Sequence, residues 1–371
     1  MKRVDRSPAL GQNPSVRVAI AMLTVVTLLA AGCGSPPRKP SAADSQPTTD
    51  APADPSPSGA ADPSAGLTST AQPGPSSTGA PKPGSCPIFP ADNVWHADVS
   101  RLPVHPRSAA YVASIGPSRP VHPDFGSGLL DGKPWGIPVT TIRAGQPRVP
   151  VSFDVPDESD PGPYPIPRDA LVEGGPNGDG DRHVIVYDPA GCRAYEMHDA
   201  HPSGGGWRAY SGAVFDLRSN RMRPLSWTSA DAAGLSILAG LVRYDEVAAG
   251  HVDHAIRMTV QVSQRAYVWP GSHRASSHTD PNLPPMGLRL RLRAGVDVSR
   301  MPPQARVVAE ALKRYGAIVA DNGSPWFFSG TQDSRWNNDQ LDALKRLHGS
   351  DFEVVDESGL MMSPTSYAVR R

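Results

Sequence analysis

The run Arg243-Tyr244-Asp245-Glu246 sets two neighbouring carboxylates beside a guanidinium and a phenol, enough for an acid, a base and an anion clamp. On a helix Asp245 and Glu246 would point about 100° apart, so only one can face a given ligand. The competing reading is an ion-pair turn that holds the strand beginning near Val252. In that strand, alternation puts Val252, His254, Ile256, Met258 and Val260 on one face, which leaves an imidazole among apolar residues. Such a histidine is either a satisfied core residue or a general base lining a groove. Glu196 shares a strand face with Cys192, Ala194 and His198 and is a candidate acid if that face is concave. Glu196, Arg243, Asp245, Glu246 and His254 are therefore the expected catalytic set, and a pair of carboxylates flanking a scissile bond is the apparatus of glycoside hydrolysis.

Asp231, His273 and Trp269 are the expected ligand contacts, and Trp207, Trp227, Trp326 and Trp336 add aromatic surface on which a sugar ring could stack or a core could be built. Asn177, Asp179 and Asp181 alternate with glycine, a spacing of oxygen ligands that can wrap calcium, although Arg182 stands where an EF-hand loop wants glycine. The plainer reading is a turn leading into the strand at His183. No other cofactor is implied. GxSxG and HExxH are missing, which disfavours a serine hydrolase elbow and a zinc helix.

These residues need a scaffold, and the pattern from Cys86 onward is mainly β with a few helices, expected as one sandwich or jelly-roll-like domain over residues 86–371. Val184 to Tyr187 and Cys192 to Met197 alternate around Asp188-Pro189-Ala190-Gly191, the pattern of a hairpin. Pro302-Pro303 opens a helix ended by Gly316, Asn337 can cap another, and a weaker one is expected near Ser229 to Leu241, with Ser229 as its cap. Arg289, Arg291 and Arg293 alternate with leucines, which predicts the solvated face of a strand.

The motifs Trp227-Thr228-Ser229-Ala230-Asp231-Ala232-Ala233-Gly234-Leu235, Gly240 to Val247, Tyr267-Val268-Trp269-Pro270 and Gly349 to Asp356 resemble those of an uncharacterised family of secreted bacterial proteins. Members of this kind are sometimes labelled nucleotide-binding. This chain has neither GxxxxGK[ST] nor GxGxxG after a strand, so no phosphate nest is visible and no nucleotide is expected.

Ahead of the domain, Val18 to Ala31 is uncharged and follows a basic start, as in a secretory signal, and Cys33 after Leu28-Leu29-Ala30-Ala31-Gly32 is the expected lipidation site. Residues 1–32 are read as the signal and 33–85, rich in Pro, Ser and Ala, as a disordered tether of roughly 40 Å mean reach. The expected location is the extracytoplasmic face of the cell membrane, held by the lipid. Losing the signal leaves 32 Lys and Arg against 35 Asp and Glu, a balance that disfavours nucleic acid. Outside the cytoplasm Cys86 and Cys192 are most simply a disulfide. The function expected is that the domain binds or processes an envelope or environmental carbohydrate, as a glycoside hydrolase or polysaccharide lyase if it is an enzyme. The alternative is a non-catalytic surface-binding or envelope-assembly module.

Overall fold

A computed structural model describes residues 86–370. The expected signal 1–32, Cys33 and the tether to residue 85 lie outside the described residues.

The chain is mainly β. Its strands are β1 (His122–Asp124), β2 (Leu129–Leu130), β3 (Lys133–Pro134), β4 (Val139–Thr141), β5 (Val151–Phe153), β6 (Val184–Asp188), β7 (Arg193–His198) and β8 (His201–Ser203). They continue with β9 (Gly206–Ala209), β10 (Ser211–Asp216), β11 (Ile256–Val260), β12 (Arg289–Leu292), β13 (Ala317–Asn322), β14 (Phe327–Ser329) and β15 (Phe352–Val354). The α-helices are α1 (Ser108–Ile115), α2 (Ile237–Gly240), α3 (Tyr244–Ala249), α4 (Pro303–Arg314) and α5 (Asn338–Leu341). A mixed six-stranded sheet runs β1-β14-β11-β13-β12-β15, and a four-stranded sheet runs β10-β7-β6-β4. Smaller sheets join β5, β9 and β8, and β2 with β3.

Local sequence explains the elements that frame the site. The hairpin of β6 and β7 pairs Val184 with Met197 and Asp188 with Arg193, and Asp188 Oδ1 accepts from Gly191 N at 2.9 Å to close the turn. In α4, Ala305, Val308, Ala309, Ala311 and Leu312 face the core while Lys313 and Arg314 occupy the last turn, complementing the helix dipole. Gly316 follows at φ +68°, where a Cβ would meet Leu290 O at 2.2 Å, so only glycine lets the chain turn back beside β12. Asn337 caps α5 through its side chain, as its residue type predicts.

Two expectations need correction. The segment Ser229 to Leu241 is helical only at Ile237–Gly240, and the cap is Ser236 rather than Ser229. Ser229 instead donates its hydroxyl to Leu235 O at 2.6 Å and accepts from Asp231 N, a closed local turn that competes with helix. Arg289 and Arg291 are not solvated. Strand β12 lies inside the sheet, and both guanidiniums are buried on backbone carbonyls: Arg289 on Val94, Ala97 and Tyr315, Arg291 on Val99 and Leu102. Their charges are met by Glu357 and Glu353 at 2.8 Å each.

The larger apolar cluster fills the body around the six-stranded sheet, with Trp95, Ile256, Leu290, Leu312, Trp326 and Phe352 buried. A smaller one, with Tyr164, Ile166, Val184, Tyr195 and Trp207, lies under the other face of the β6–β7 hairpin. Cys86 and Cys192 form a disulfide with Cα atoms 5.5 Å apart across 106 residues. In the chain-entropy treatment a closure of that length stabilises the fold by about 4–5 kcal/mol.

Candidate functional site

The expected catalytic residues are divided among separate hydrogen-bonded groups. Glu196 is fully buried and spends both oxygens on the start of α2: Oε1 accepts from Ser236 Oγ at 2.7 Å and Leu238 N at 3.1 Å, Oε2 from Ile237 N at 2.8 Å. Burial pushes its carboxyl up while those bonds pull it back. Arg243, Glu246 and His254 do come together as a closed knot. The Arg243 guanidinium grips Glu246 and donates to Leu238 O and Leu241 O, and His254 Nε2 lies 3.2 Å from Glu246 Oε2. Burial would raise Glu246, but Arg243 and His254 hold it at about 2. Asp245 points elsewhere, to Arg335 at 2.6 Å.

The expected ligand contacts are also dispersed. His273 Nδ1 pairs with Ala232 O at 2.8 Å, and Trp269 lines a separate pocket. Asp231 is fully buried in a two-point grip with Arg257, at 2.9 and 3.1 Å. The charge of Arg257 also reaches Asp124 and Glu173, which line a cleft that none of the expected catalytic residues enters.

Strand β1 forms one edge of the six-stranded sheet, parallel to β14, with Asp124 level with Ser329. Next to β14 runs β11, whose Arg257 donates to Ser329 Oγ at 2.9 Å and lies 3.3 Å from Asp321 Oδ2. Facing this edge is the segment ahead of β6. There Glu173 N donates to His183 O at 3.0 Å, which folds the Glu173–His183 loop back on itself. Between the two lies a cleft of about 260 Å³ lined by Asp124, Trp135 and Glu173, with Lys133, Asp179 and Asp181 at its mouth. Trp135 packs so closely on Gly126 that a Cβ there would meet the indole Cε3 at 2.5 Å, which fixes the wall of the cleft.

Two carboxylates converge here under opposite electrostatics. Among the described residues the Asp124 carboxyl makes no hydrogen bond of ordinary geometry. The Trp135 indole N–H interacts with it and pulls its pKa down slightly, but that N–H too is buried without a properly formed bond. Burial, reinforced by the nearby charge of Glu173, raises Asp124 to about 6. Glu173 goes the other way. Burial alone would raise it, but the charge and hydrogen bond of His183 outweigh burial and hold it below its ordinary value.

The proton count of His183 follows from its neighbours. Its Nδ1 lies 2.6 Å from Glu173 Oε2 and its Nε2 lies 3.2 Å from Ala230 O, which can only accept. Both ring nitrogens therefore donate, and the imidazolium persists against burial to about pH 9. Both hydrogen bonds to Glu173 land on Oε2, so Oε1 is left without a partner among the described residues. The site thus holds a carboxyl disposed to keep its proton and a carboxylate with one open oxygen.

The alternating acids near residue 180 bind differently from a calcium loop. The Arg182 guanidinium donates to Gly178 O at 2.6 Å and Pro176 O at 3.2 Å, so the loop carbonyls are turned onto a side chain of the loop itself. Asp179 pairs with Lys133, and Asp181 sits 4.0 Å from His198. Asn177 lies in the same loop. Among the described residues no three His, Cys, Asp or Glu side chains are grouped to hold a metal ion.

Sequence reasoning named Asp181 and passed over Asp124, Glu173 and His183. Two signals were present: a lone acid inside the apolar-flanked His122-Pro123-Asp124-Phe125-Gly126, and an imidazole immediately ahead of the apolar strand Val184–Tyr187. No family model, curated protein or solved structure matches this chain.

Proposed function

We propose that the protein is a lipid-anchored extracytoplasmic glycoside hydrolase, with Asp124 as proton donor and Glu173 as its carboxylate partner. One observation carries this reading: both side chains line a single cleft, and Glu173 Oε1 has no hydrogen-bond partner among the described residues. In that chemistry the acid protonates the departing glycosidic oxygen. The carboxylate either attacks the anomeric carbon or takes a proton from the attacking water. Both courses need the charge split described above, a protonated Asp124 beside an ionised Glu173. His183 acts as a positioning residue, holding Glu173 Oε2 so that Oε1 faces the cleft.

The charges of the cleft favour hydrolysis over elimination. A lyase must neutralise a uronate carboxylate, whereas this cleft gathers Asp124, Glu173, Asp179 and Asp181. Lys133 is already paired with Asp179, and Arg182 with its own loop. A neutral or amino-bearing sugar chain suits that field, and a polyuronate is repelled by it. The envelope location rests on Cys33 and the uncharged run before it, and the family resemblance of the motifs agrees with a secreted protein.

The test is release of reducing ends from neutral, amino-bearing and uronate polysaccharides by the full-length protein and its Glu173→Gln and Asp124→Asn variants. Activity on a neutral or amino-bearing polymer that both variants lose supports the reading. Full activity in Glu173→Gln, no activity on any polymer, or an unsaturated uronate product overturns it. Incorporation of an alkynyl fatty acid in cells, lost in Cys33→Ala, tests the anchor.

A further inference from the structure

The far edge of the six-stranded sheet carries a second built pocket. Six strands at about 4.8 Å spacing put β15 roughly 24 Å from β1, so this pocket and the acid cleft stand at opposite edges of one sheet. Its volume is about 300 Å³, and its walls include Tyr111, Trp269 and Met361, with Glu357 among its lining residues.

Glu357 is more than nine-tenths buried, and only one of its oxygens is used. Oε1 accepts from Arg289 Nη1 at 2.8 Å, while Oε2, on a residue that lines the pocket, has no hydrogen bond among the described residues. Oε2 is not among the fully buried side-chain atoms that lack a partner, so it is open to the pocket and can accept from a donor that enters it. The aromatic walls are held rigidly. Trp269 Nε1 donates to Ser366 O at 2.9 Å, and the backbone beside it is tied by Val268 N to Met286 O at 2.8 Å. Tyr111 is packed by His105, with ring centroids 5.5 Å apart.

A ligand that fits must offer an apolar face to Trp269 and Tyr111 and a hydroxyl or amine donor to Glu357. A sugar ring has that pairing of properties. We propose that this pocket is an auxiliary glycan subsite that holds a sugar unit of a long polysaccharide while the chain is processed at Asp124 and Glu173. The subsite rests on the reading of the protein as a polysaccharide hydrolase for its purpose, although its binding is independent of catalysis. Holding a polymer at two points raises its effective concentration at the cleft, so long chains gain and short ones do not.

The experiment measures quenching of tryptophan fluorescence in the full-length Glu173→Gln protein by cellohexaose, chitohexaose and xylohexaose. The expected result is saturable quenching by at least one of them. Trp269→Ala should weaken that binding, seen by calorimetry because the reporter is gone, by about tenfold, and Glu357→Gln by severalfold. Because Trp269→Ala could disturb folding, Glu357→Gln is the decisive variant, with thermal unfolding as the control. On active protein, Trp269→Ala should raise KM on the polymer and leave turnover of short oligosaccharides unchanged. Binding that survives both substitutions, or an apolar peptide that binds the pocket where no hexasaccharide does, overturns the subsite. Binding that depends on Glu357 in a protein that cleaves nothing would keep the subsite and reject the hydrolase.

Discussion

Among the described residues the same pair occurs twice, a glutamate on a buried histidine, with opposite consequences. In the knot, Glu246 is gripped by Arg243 on Oε1 and bonded by Arg243 N and His254 on Oε2, so both oxygens are occupied. His254 there is pushed below its ordinary value, chiefly by burial. In the cleft, no guanidinium among the described residues bonds Glu173, and its partner His183 is raised to about 9. The arginine makes the difference. Where Arg243 supplies the positive charge, the imidazole can stay neutral. Where no guanidinium bonds the glutamate directly and Arg257 acts only through its charge, the imidazole takes the proton and leaves one glutamate oxygen for other use. A buried Glu–His contact is therefore a brace or a working pair according to what else touches the glutamate.

The largest test of that contrast is catalytic. Glu173→Gln should lower kcat by about 10²–10⁴-fold on the polysaccharide the protein cleaves, the span ordinarily supplied by a positioned acid or base. Glu246→Gln should leave kcat within a few-fold. Equal losses in the two variants would erase the distinction between brace and working pair.

Stability should reverse the ranking. Removing Arg243 in Arg243→Met strands the carboxylate of Glu246, whose side chain is 23% exposed, and should cost about 3–5 kcal/mol in urea unfolding. Glu173→Gln loses a pair that opens onto a cleft and should cost less. A knot variant as stable as the parent would show that the guanidinium is not what holds Glu246.

The pH dependence separates the two histidines by sign. The folded pKa of His183 lies above the unfolded value of about 6.5. Its contribution to stability is thus complete below pH 6.5 and is lost as pH rises through about 9. His254 is depressed, so its contribution is complete above about pH 6.5 and is lost as pH falls below that value. Imidazole NMR titration of the parent, assigned with His183→Gln and His254→Gln, should show the two resonances moving on opposite sides of pH 6.5. Asp124, raised from its ordinary range, keeps its proton up to about pH 6, so kcat should fall as pH rises through that value. A rate still rising between pH 6 and 8 would remove Asp124 from the role of acid.

How far the residues announced these arrangements depends on what had to be known. Local signals were sufficient for the β6–β7 hairpin, for α4 with its proline start and Gly316 stop, and for the Cys86–Cys192 pair. Each is settled within a short segment or by a count of two. Arg289 and Arg291 misled because alternation reports a two-faced strand. It does not reveal that Glu353 and Glu357, more than sixty residues on, cover the second face. The Arg243–Glu246–His254 group is local, within twelve residues, and was therefore visible as a cluster although it proves to be closed. The cleft joins Asp124, Trp135 and Glu173 from separate segments, through a parallel pairing of β1 with β14 that no local pattern encodes.

The smallest expected effect lies at the mouth of the cleft. Lys133 and Asp179 pair there with side chains 50% and 87% exposed, so Lys133→Ala should leave stability essentially unchanged. Its functional effect should be electrostatic instead. Without the lysine the entrance keeps Asp179 and Asp181 unopposed, and the field at Asp124 and Glu173 becomes more negative. An amino-bearing oligosaccharide should then bind with a slightly lower KM at low ionic strength, and a neutral one should not respond. At 0.15 M salt the screening length is about 8 Å, and the difference should largely vanish. The contrast with Arg243 is one of solvent: a cation buried on a carboxylate organises the fold, whereas an exposed one only tunes what approaches it. A KM for the charged sugar that is indifferent to both Lys133 and salt would mean that the acids at the mouth take no part in recognition.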